Sequence, residues 1–373
     1  MKNKKEVNEI INEFLKQRPE CSVVIGYGSG VIKQDGYKSN SNNQIDILIG
    51  VNNVKEWHHE NMLTNPMDYS KKGLKYFKLP QKIINFYTGI NFLPYLEYEN
   101  YKIKLGVFDL NKVSNDLTNG CSYYLAGRLS KPNLVLKSTD EFNRVLEKNR
   151  KMALWTGACM VGRKGLIKDL YINIAGFSYL GDIRNGVKLF GKELFRKENP
   201  KKIANLVNCG YQLYEKLYND IEAPFINYED ENIKINLDLL MESAKDYLPI
   251  NLYNYLNEAL DEHNYDKVKN LLIKYFSSKN RKSSIVQALK GLITTDISKT
   301  KQYLKEKDKK AKAQNWQSKY FVLRYKYSFY SSWWKSSSIF NIWRDFMDGV
   351  NKDYWYMNLF SDWIAKSVKI ISA

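Results

Sequence analysis

Five stretches of the chain combine residue types and spacings that could do chemistry. In the first, Gly28-Ser29-Gly30 directly follows the apolar run SVVIGY (22–27), and Asp46 lies inside a second run, IDILIGV (45–51). Small residues after a strand let backbone N–H groups approach a polyphosphate, and a serine hydroxyl adds a donor. A carboxylate on the neighbouring strand can hold Mg2+ against the same phosphates. The same three residues equally describe a tight turn without chemistry. The second stretch, VKEWHHENMLTNPMDYS (54–70), sets His58 and Asn61 one helical turn apart, with Tyr69 and Ser70 beyond a proline turn. On residue types alone it reads as an amphipathic helix with Trp57 packed inward. In the third, AGRLSKP (126–132), Arg128 and Lys131 beside Gly127 suit a phosphate clamp, or a solvated basic turn. The fourth, IAGFSYLGDIR (174–184), places Asp182 at a helix end behind two glycines. The fifth, SSIVQALKG (283–291), reads alone as a helix start.

The elements that must position these residues follow from periodicity. Val7, Ile10, Ile11, Phe14 and Leu15 recur at helical intervals and Pro19 ends the run. Strands are expected at 22–27, 45–51 and 101–110, with a polar loop at 35–44 and a helix from Val54 capped by Asn52 or Asn53. Residues 82–96 are mixed, 112–126 look helical, and 134–136 fit a strand or an apolar connection. From about 140 the pattern is helical, with segments at 140–161, 166–180, 199–220, 234–246, 250–262, 265–277 and 283–306. Strand, small-residue turn, strand with a carboxylate is the layout of polymerase-β-type nucleotidyltransferases. Their usual second strand bears two carboxylates one residue apart, and here position 48 is Leu. The expected fold class is α+β: a nucleotidyltransferase head (1–138), an all-helical domain (139–306) and a basic, aromatic extension (307–373).

Composition narrows the partners. The 373 residues carry a formal charge of +18, and residues 301–373 hold 14 Lys and Arg against 6 Asp and Glu. An anionic partner is implied, whether nucleic acid, nucleotide or an anionic membrane surface. Six of the eight tryptophans (Trp316, Trp333, Trp334, Trp343, Trp355, Trp363) fall in this tail among Lys and Arg, as an interfacial anchor requires; the competing reading is an ordinary helical core. Cys21, Cys121, Cys159 and Cys209 form no CxxC pair, which fits a reducing compartment. His58, His59 and His263 have no zinc-site spacing. No apolar signal segment opens the chain and no run approaches ~20 apolar residues.

Taken together and in order, the stretches resemble the mitochondrial-type phosphatidate cytidylyltransferases, also called mitochondrial translocator assembly and maintenance proteins. The resemblance runs from about Val24 to Lys305. It is carried by YGSG (27–30) with Gln34, Asp46, Trp57-His58 with Asn61 and Asn65, and Tyr69-Ser70. It continues through LGV (105–107) with Asp116, AGR (126–128) with Lys131-Pro132, IAG and SY (174–179) with Gly181-Asp182 and Arg184, and SSI (283–285) with Gln287 and Lys290-Gly291. Asp68 departs from the family's His, and the tail runs past the family's usual end.

The resemblance implies transfer of a cytidylyl group from CTP to phosphatidic acid, giving CDP-diacylglycerol and pyrophosphate, with Mg2+ at a membrane surface. Gly28, Ser29 and Gly30 would cradle the triphosphate and Asp46 would hold the metal. Arg128 and Lys131 would neutralise phosphate charge, while His58, Tyr69 and Ser70 would line the site. Asp182 is the first choice for a further metal ligand and Asp109 the second. No nucleic acid is expected as partner. The competing readings are a nucleotidyltransferase acting on nucleic acid and a non-catalytic membrane scaffold. The AT-rich bias and the absent presequence point to a bacterial protein on the cytoplasmic face of the plasma membrane, the alternative being the matrix side of the mitochondrial inner membrane.

Overall fold

The computed structural model describes residues 6–32, 44–182, 207 and 210–295. The basic aromatic tail, Gln34 and Arg184 lie outside the described residues. Helix α1 (Val7–Lys16) buries Ile10, Ile11 and Phe14, the side its periodicity marks as apolar. Strands β1 (Val23–Tyr27) and β2 (Ile45–Val51) pair antiparallel, with Tyr27 opposite Asp46. Helix α2 (Val54–Thr64) starts where the Asn53 side chain accepts from the Glu56 N–H. Two short helices, α3 (Lys71–Tyr76) and α4 (Gln81–Ile84), lead to β3 (Ile90–Tyr98) and β4 (Tyr101–Asp109). After α5 (Leu110–Asn119) and α6 (Ala126–Leu129), β5 (Asn133–Lys137) joins β1, so the segment left open at 134–136 is a strand.

The five strands run in the order β3-β4-β2-β1-β5, with β2 and β4 parallel and the other neighbours antiparallel. Strand β3 hides within the mixed stretch 82–96 because Pro94 and a register break between Leu93 and Leu96 interrupt its alternation. An edge strand tolerates both. Alternation gives the sheet two faces. Ile45, Ile47 and Ile49 pack with Ile10, Ile11 and Phe14 of α1 and with Val54 and Trp57 of α2. Val23, Ile25, Leu48 and Phe108 face the other way, into a core that continues through Phe142 and Leu146. That core runs without a break past residue 138.

Beyond β5 the chain forms α7 (Asp140–Val161), β6 (Lys164–Leu166), α8 (Ile167–Phe177), α9 (Tyr211–Tyr218), β7 (Ile226–Glu229) and β8 (Asn232–Ile235). Then come α10 (Leu237–Glu242), α11 (Ala244–Tyr247), α12 (Ile250–Asp261) and α13 (Tyr265–Thr294). The expectation of an all-helical second region is corrected by the sheet β6-β8-β7. Ile233 and Ile235 alternate inward, and Asp230 takes the left-handed conformation (φ 50°) that closes the hairpin. The separate helices expected at 265–277 and 283–306 are one helix through Thr294. Its polar middle is not a loop but a contact surface: Asn280 donates to the Phe177 carbonyl and Ser283 to that of Ser122.

The end of α13 clasps the first sheet. Gln287 donates to Thr88 and to the Ile90 carbonyl, and the Lys290 ammonium donates to the carbonyls of Ile84 (2.8 Å) and Ile90 (3.2 Å). Ser70 caps α3 and donates to the Thr294 carbonyl at 2.7 Å. Ser70→Ala removes both bonds and should destabilise the protein by about 1–3 kcal/mol in denaturant titration. Burial, with help from Lys112, pushes Lys290 down to about 7. Between that value and the ordinary lysine range the unfolded chain binds a proton that the folded chain does not, so stability rises with pH across this window. The melting midpoint of the wild type relative to Lys290→Met should therefore climb from pH 7 to pH 9. A flat difference would show that Lys290 titrates normally.

Candidate active site

The turn after β1 is built from its glycines. The Gly28 carbonyl accepts from the N–H groups of Val31 (3.1 Å) and Ile32 (2.9 Å), with Gly28 at φ 76°. A Cβ at Gly28 would stand 3.1 Å from the Asp46 carboxylate, and one at Gly30 would collide with the Gln44 backbone carbonyl. The turn therefore wraps closely around the start of β2, one strand position from Asp46. Among the described residues, the backbone N–H groups of Ser29 and Gly30 have no intramolecular acceptor. This is the donor arrangement an oxyanion can use.

Asp46 shares the face of Leu48, with Lys104 in register on β4. The Lys104 ammonium lies 3.9 Å from a carboxylate oxygen of Asp46 and 4.3 Å from the centre of the Phe92 ring. Phe92 meets Tyr124 edge to face at 6.3 Å. On Tyr124 rests the Arg128 guanidinium, 3.9 Å from the ring centre, with one of its nitrogens donating to the Tyr124 carbonyl at 2.6 Å. An aromatic shelf thus leads from Asp46 to Arg128 and supports a cation at each end.

Lys131 donates to Ser178 Oγ at 2.6 Å and sits 4.2 Å from the centre of the Tyr179 ring. Gly127 makes this approach possible, since a Cβ there would reach 2.6 Å from that of Ser178. The segment is held to the first sheet because Asn133, which pairs with Tyr27, donates to the carbonyls of Leu129 (3.3 Å) and Lys131 (2.8 Å). Asp182 is buried just beyond Ser178 and Tyr179, after Gly181 at φ 71°. The third and fourth sequence stretches, 47 positions apart from Lys131 to Ser178, therefore meet.

The second stretch goes elsewhere. His58 is fully buried, stacked on Phe77 at 3.7 Å and bonded through Nδ1 to the Tyr69 hydroxyl at 2.9 Å. Asn61 donates to the same hydroxyl at 3.0 Å. Burial lowers the His58 pKa and raises that of Tyr69, so both are neutral. Trp57, Tyr69 and Phe77 belong to the core on the opposite face of the sheet from Asp46. Trp57 is tied to the Pro19 carbonyl, before β1, whereas the glycine turn follows β1. His58, Tyr69 and Ser70 thus brace the far side of the sheet and are not brought to the glycine turn. Asp68 pairs with Arg18 through two bonds of 3.0 and 3.1 Å in that same brace.

Asp109 also departs from its expected place. It pairs with Val51, five strand positions from Asp46, which is about 16 Å along the sheet. Its carboxylate caps α5 through the Lys112 N–H and accepts from Asn85 at 2.6 Å. It cannot share an ion with Asp46. The neighbouring-strand position facing Asp46 belongs to Lys104, which sequence reading missed. The signal was available in YKIKLGVFDL, where Lys104 alternates out of phase with Ile103 and Leu105, but its partner depends on the parallel register.

A family model described as "Phosphatidate cytidylyltransferase, mitochondrial" matches residues 7–310. The chain belongs to this family. Proteins of the same description are similar over most of its length. That of Schizosaccharomyces pombe is 29% identical, covering 84% of this chain and 85% of its own. That of Saccharomyces cerevisiae is 30% identical over 80% and 68%, and that of Rattus norvegicus 28% over 80% and 93%. Members of the family are nucleotidyltransferase enzymes of CDP-diacylglycerol synthesis. These relatives are eukaryotic and named as mitochondrial, so the expected bacterial origin and plasma-membrane location find no support. Among the described residues no helix is long and apolar enough to cross a membrane.

Proposed function

We propose that this chain transfers the cytidylyl group of CTP to phosphatidic acid at the glycine turn and Asp46, the head acting as a nucleotidyltransferase domain. The observation that carries the placement is the wrapping of Gly28 and Gly30 around Asp46, with Lys104 beside that carboxylate and Arg128 at the other end of the Phe92–Tyr124 shelf. A lipid phosphate oxygen attacks the α-phosphorus of CTP. The bond from that phosphorus to the oxygen bridging to the β-phosphorus breaks, and pyrophosphate leaves with the electron pair. The lipid phosphomonoester is already anionic near neutral pH, so positioning and charge neutralisation supply most of the catalysis. This suits a site whose described residues offer cations and N–H donors and whose histidine lies on the other face.

Mg2+ fits the donor set. Among the described residues no three His, Cys, Asp or Glu side chains converge on one point. Magnesium accepts one or two carboxylates when substrate phosphates complete its shell. Asp46 would hold it, with Asp182, buried three residues beyond Tyr179 in the chain, as the further candidate. When bound, the metal supplies Lewis-acid polarisation of phosphate oxygens. The chain itself supplies the Ser29 and Gly30 N–H donors to the phosphates, and Arg128 and Lys131 oppose the charge of pyrophosphate or of the lipid headgroup. The tail from 307 is the proposed membrane contact, on its Trp, Tyr, Lys and Arg content. The relatives' names favour a mitochondrial membrane.

The test is conversion of labelled CTP with phosphatidic acid in mixed micelles containing Mg2+. Formation of CDP-diacylglycerol and pyrophosphate in equal amounts is the expected result. A folded protein that forms no liponucleotide but adds nucleotides to RNA in a salt-sensitive way would overturn it.

A further inference from the structure

We propose that Lys104 is a catalytic residue of this site: its ammonium contacts the phosphates of the bound nucleoside triphosphate beside Asp46. The inference rests on the reading of the turn as the triphosphate site. Three observations carry it. Parallel pairing of β2 and β4 puts Lys104 directly opposite Asp46 on the same face, 3.9 Å from its carboxylate. The ammonium is held at this height by the Phe92 ring, 4.3 Å below, and that ring is itself fixed by Tyr124. Both charged side chains keep about a quarter of their surface exposed (24% and 25%), so a ligand can reach the pair.

A contact of 3.9 Å is a loose ion pair, longer than a charge-assisted hydrogen bond. At this exposure it contributes little to stability, so folding alone gives weak reason for a lysine on the shelf. Its position is more informative. A second carboxylate on the strand beside Asp46 would face the turn from this place. A cation there opposes the negative charge of a triphosphate directly. Lys104 and Arg128 then stand at the two ends of the Phe92–Tyr124 shelf, with Lys131 on Tyr179, and the nucleotide charge meets cations that need little reorganisation. When pyrophosphate departs, the Lys104 ammonium opposes the charge that develops on the bridging oxygen.

The variants Lys104→Met and Lys104→Arg separate this role from a structural one. Lys104→Met should lower kcat about 100-fold at saturating CTP and Mg2+, with a melting midpoint within a few degrees of wild type. Lys104→Arg should restore at least tenfold of that loss. If Lys104 only positioned Asp46 for the metal, the Lys104→Met defect would show at limiting Mg2+ and vanish as Mg2+ is raised to saturation, and that outcome overturns the proposal. So does a kcat within threefold of wild type. A second arm measures CTP binding by calorimetry in EDTA, where neither metal nor lipid contributes. Wild type should bind at least tenfold more tightly than Lys104→Met, and equal affinity would sink the idea. If wild type makes no liponucleotide but this difference holds, the reaction assignment fails while Lys104 remains a triphosphate contact.

Discussion

Asp46→Asn is expected to lower CDP-diacylglycerol formation by at least 1,000-fold, on the order of 4 kcal/mol in the barrier, without unfolding the protein. Asparagine keeps the shape of the side chain and removes its charge. The change leaves Lys104 facing a neutral amide at a partly exposed position, a small stability effect. The loss of activity has a larger cause. Asp46 is the carboxylate around which the glycine turn folds, with a Gly28 Cβ position only 3.1 Å from its oxygen. Without that charge the metal loses its proposed protein ligand. Initial rates over a range of Mg2+ concentrations, paired with thermal melts, decide the matter. Activity within tenfold of wild type would move the metal away from β2 altogether. A parallel loss of melting temperature would instead make Asp46 structural.

Gly30→Ala is expected to be nearly as damaging through the backbone. The added methyl group would collide with the Gln44 carbonyl, which precedes Ile45 and Asp46 at the start of β2. A backbone atom cannot rotate away as a side chain can, so the turn or the strand end must shift. The expected cost is roughly 2–4 kcal/mol of stability, with a further loss of activity that persists at a temperature where the variant is folded. Gly28→Ala should be milder, at about 1–2 kcal/mol for a left-handed φ of 76°, because the Asp46 carboxylate it approaches belongs to a side chain. Melting curves and rates at 15 °C for both variants give the ranking. If Gly30→Ala is the more active of the two, the close packing of the turn is not what holds Asp46.

Much of the first sheet was legible in the sequence because its signals are local. SVVIGY and IDILIGV are short apolar runs bounded by turn residues, and both are strands. Helix α7 has the expected ends: Thr139 caps it and Gly162 follows it. Strand β3 and the β7–β8 hairpin were not legible, one broken by Pro94 and a register shift, the other closed by an Asp and a Glu rather than by glycine. The polar middle of α13 misled for a different reason. Asn280, Ser283 and Ser284 look like a surface break but are buried against other elements. Hydrogen bonds to distant carbonyls make a polar helix face an interior one, and no window of sequence contains those partners.

The candidate site divides in the same way. The glycine turn with Asp46, and the basic pair Arg128 and Lys131, could be named from the sequence because each is a contiguous motif whose chemistry depends on residue type. Membership of the family was likewise determined by the co-linear order of short motifs. Tertiary structure decided which of those motifs belong together. It joined Lys131 to Ser178, set Lys104 beside Asp46, and sent His58 and Tyr69 through the sheet to its other face. It also carried Asp109 to the far end of β4 as a helix cap. The physical reason is that strand alternation and register fix the face and height of every side chain, and register is set by pairing with strands far away in the chain.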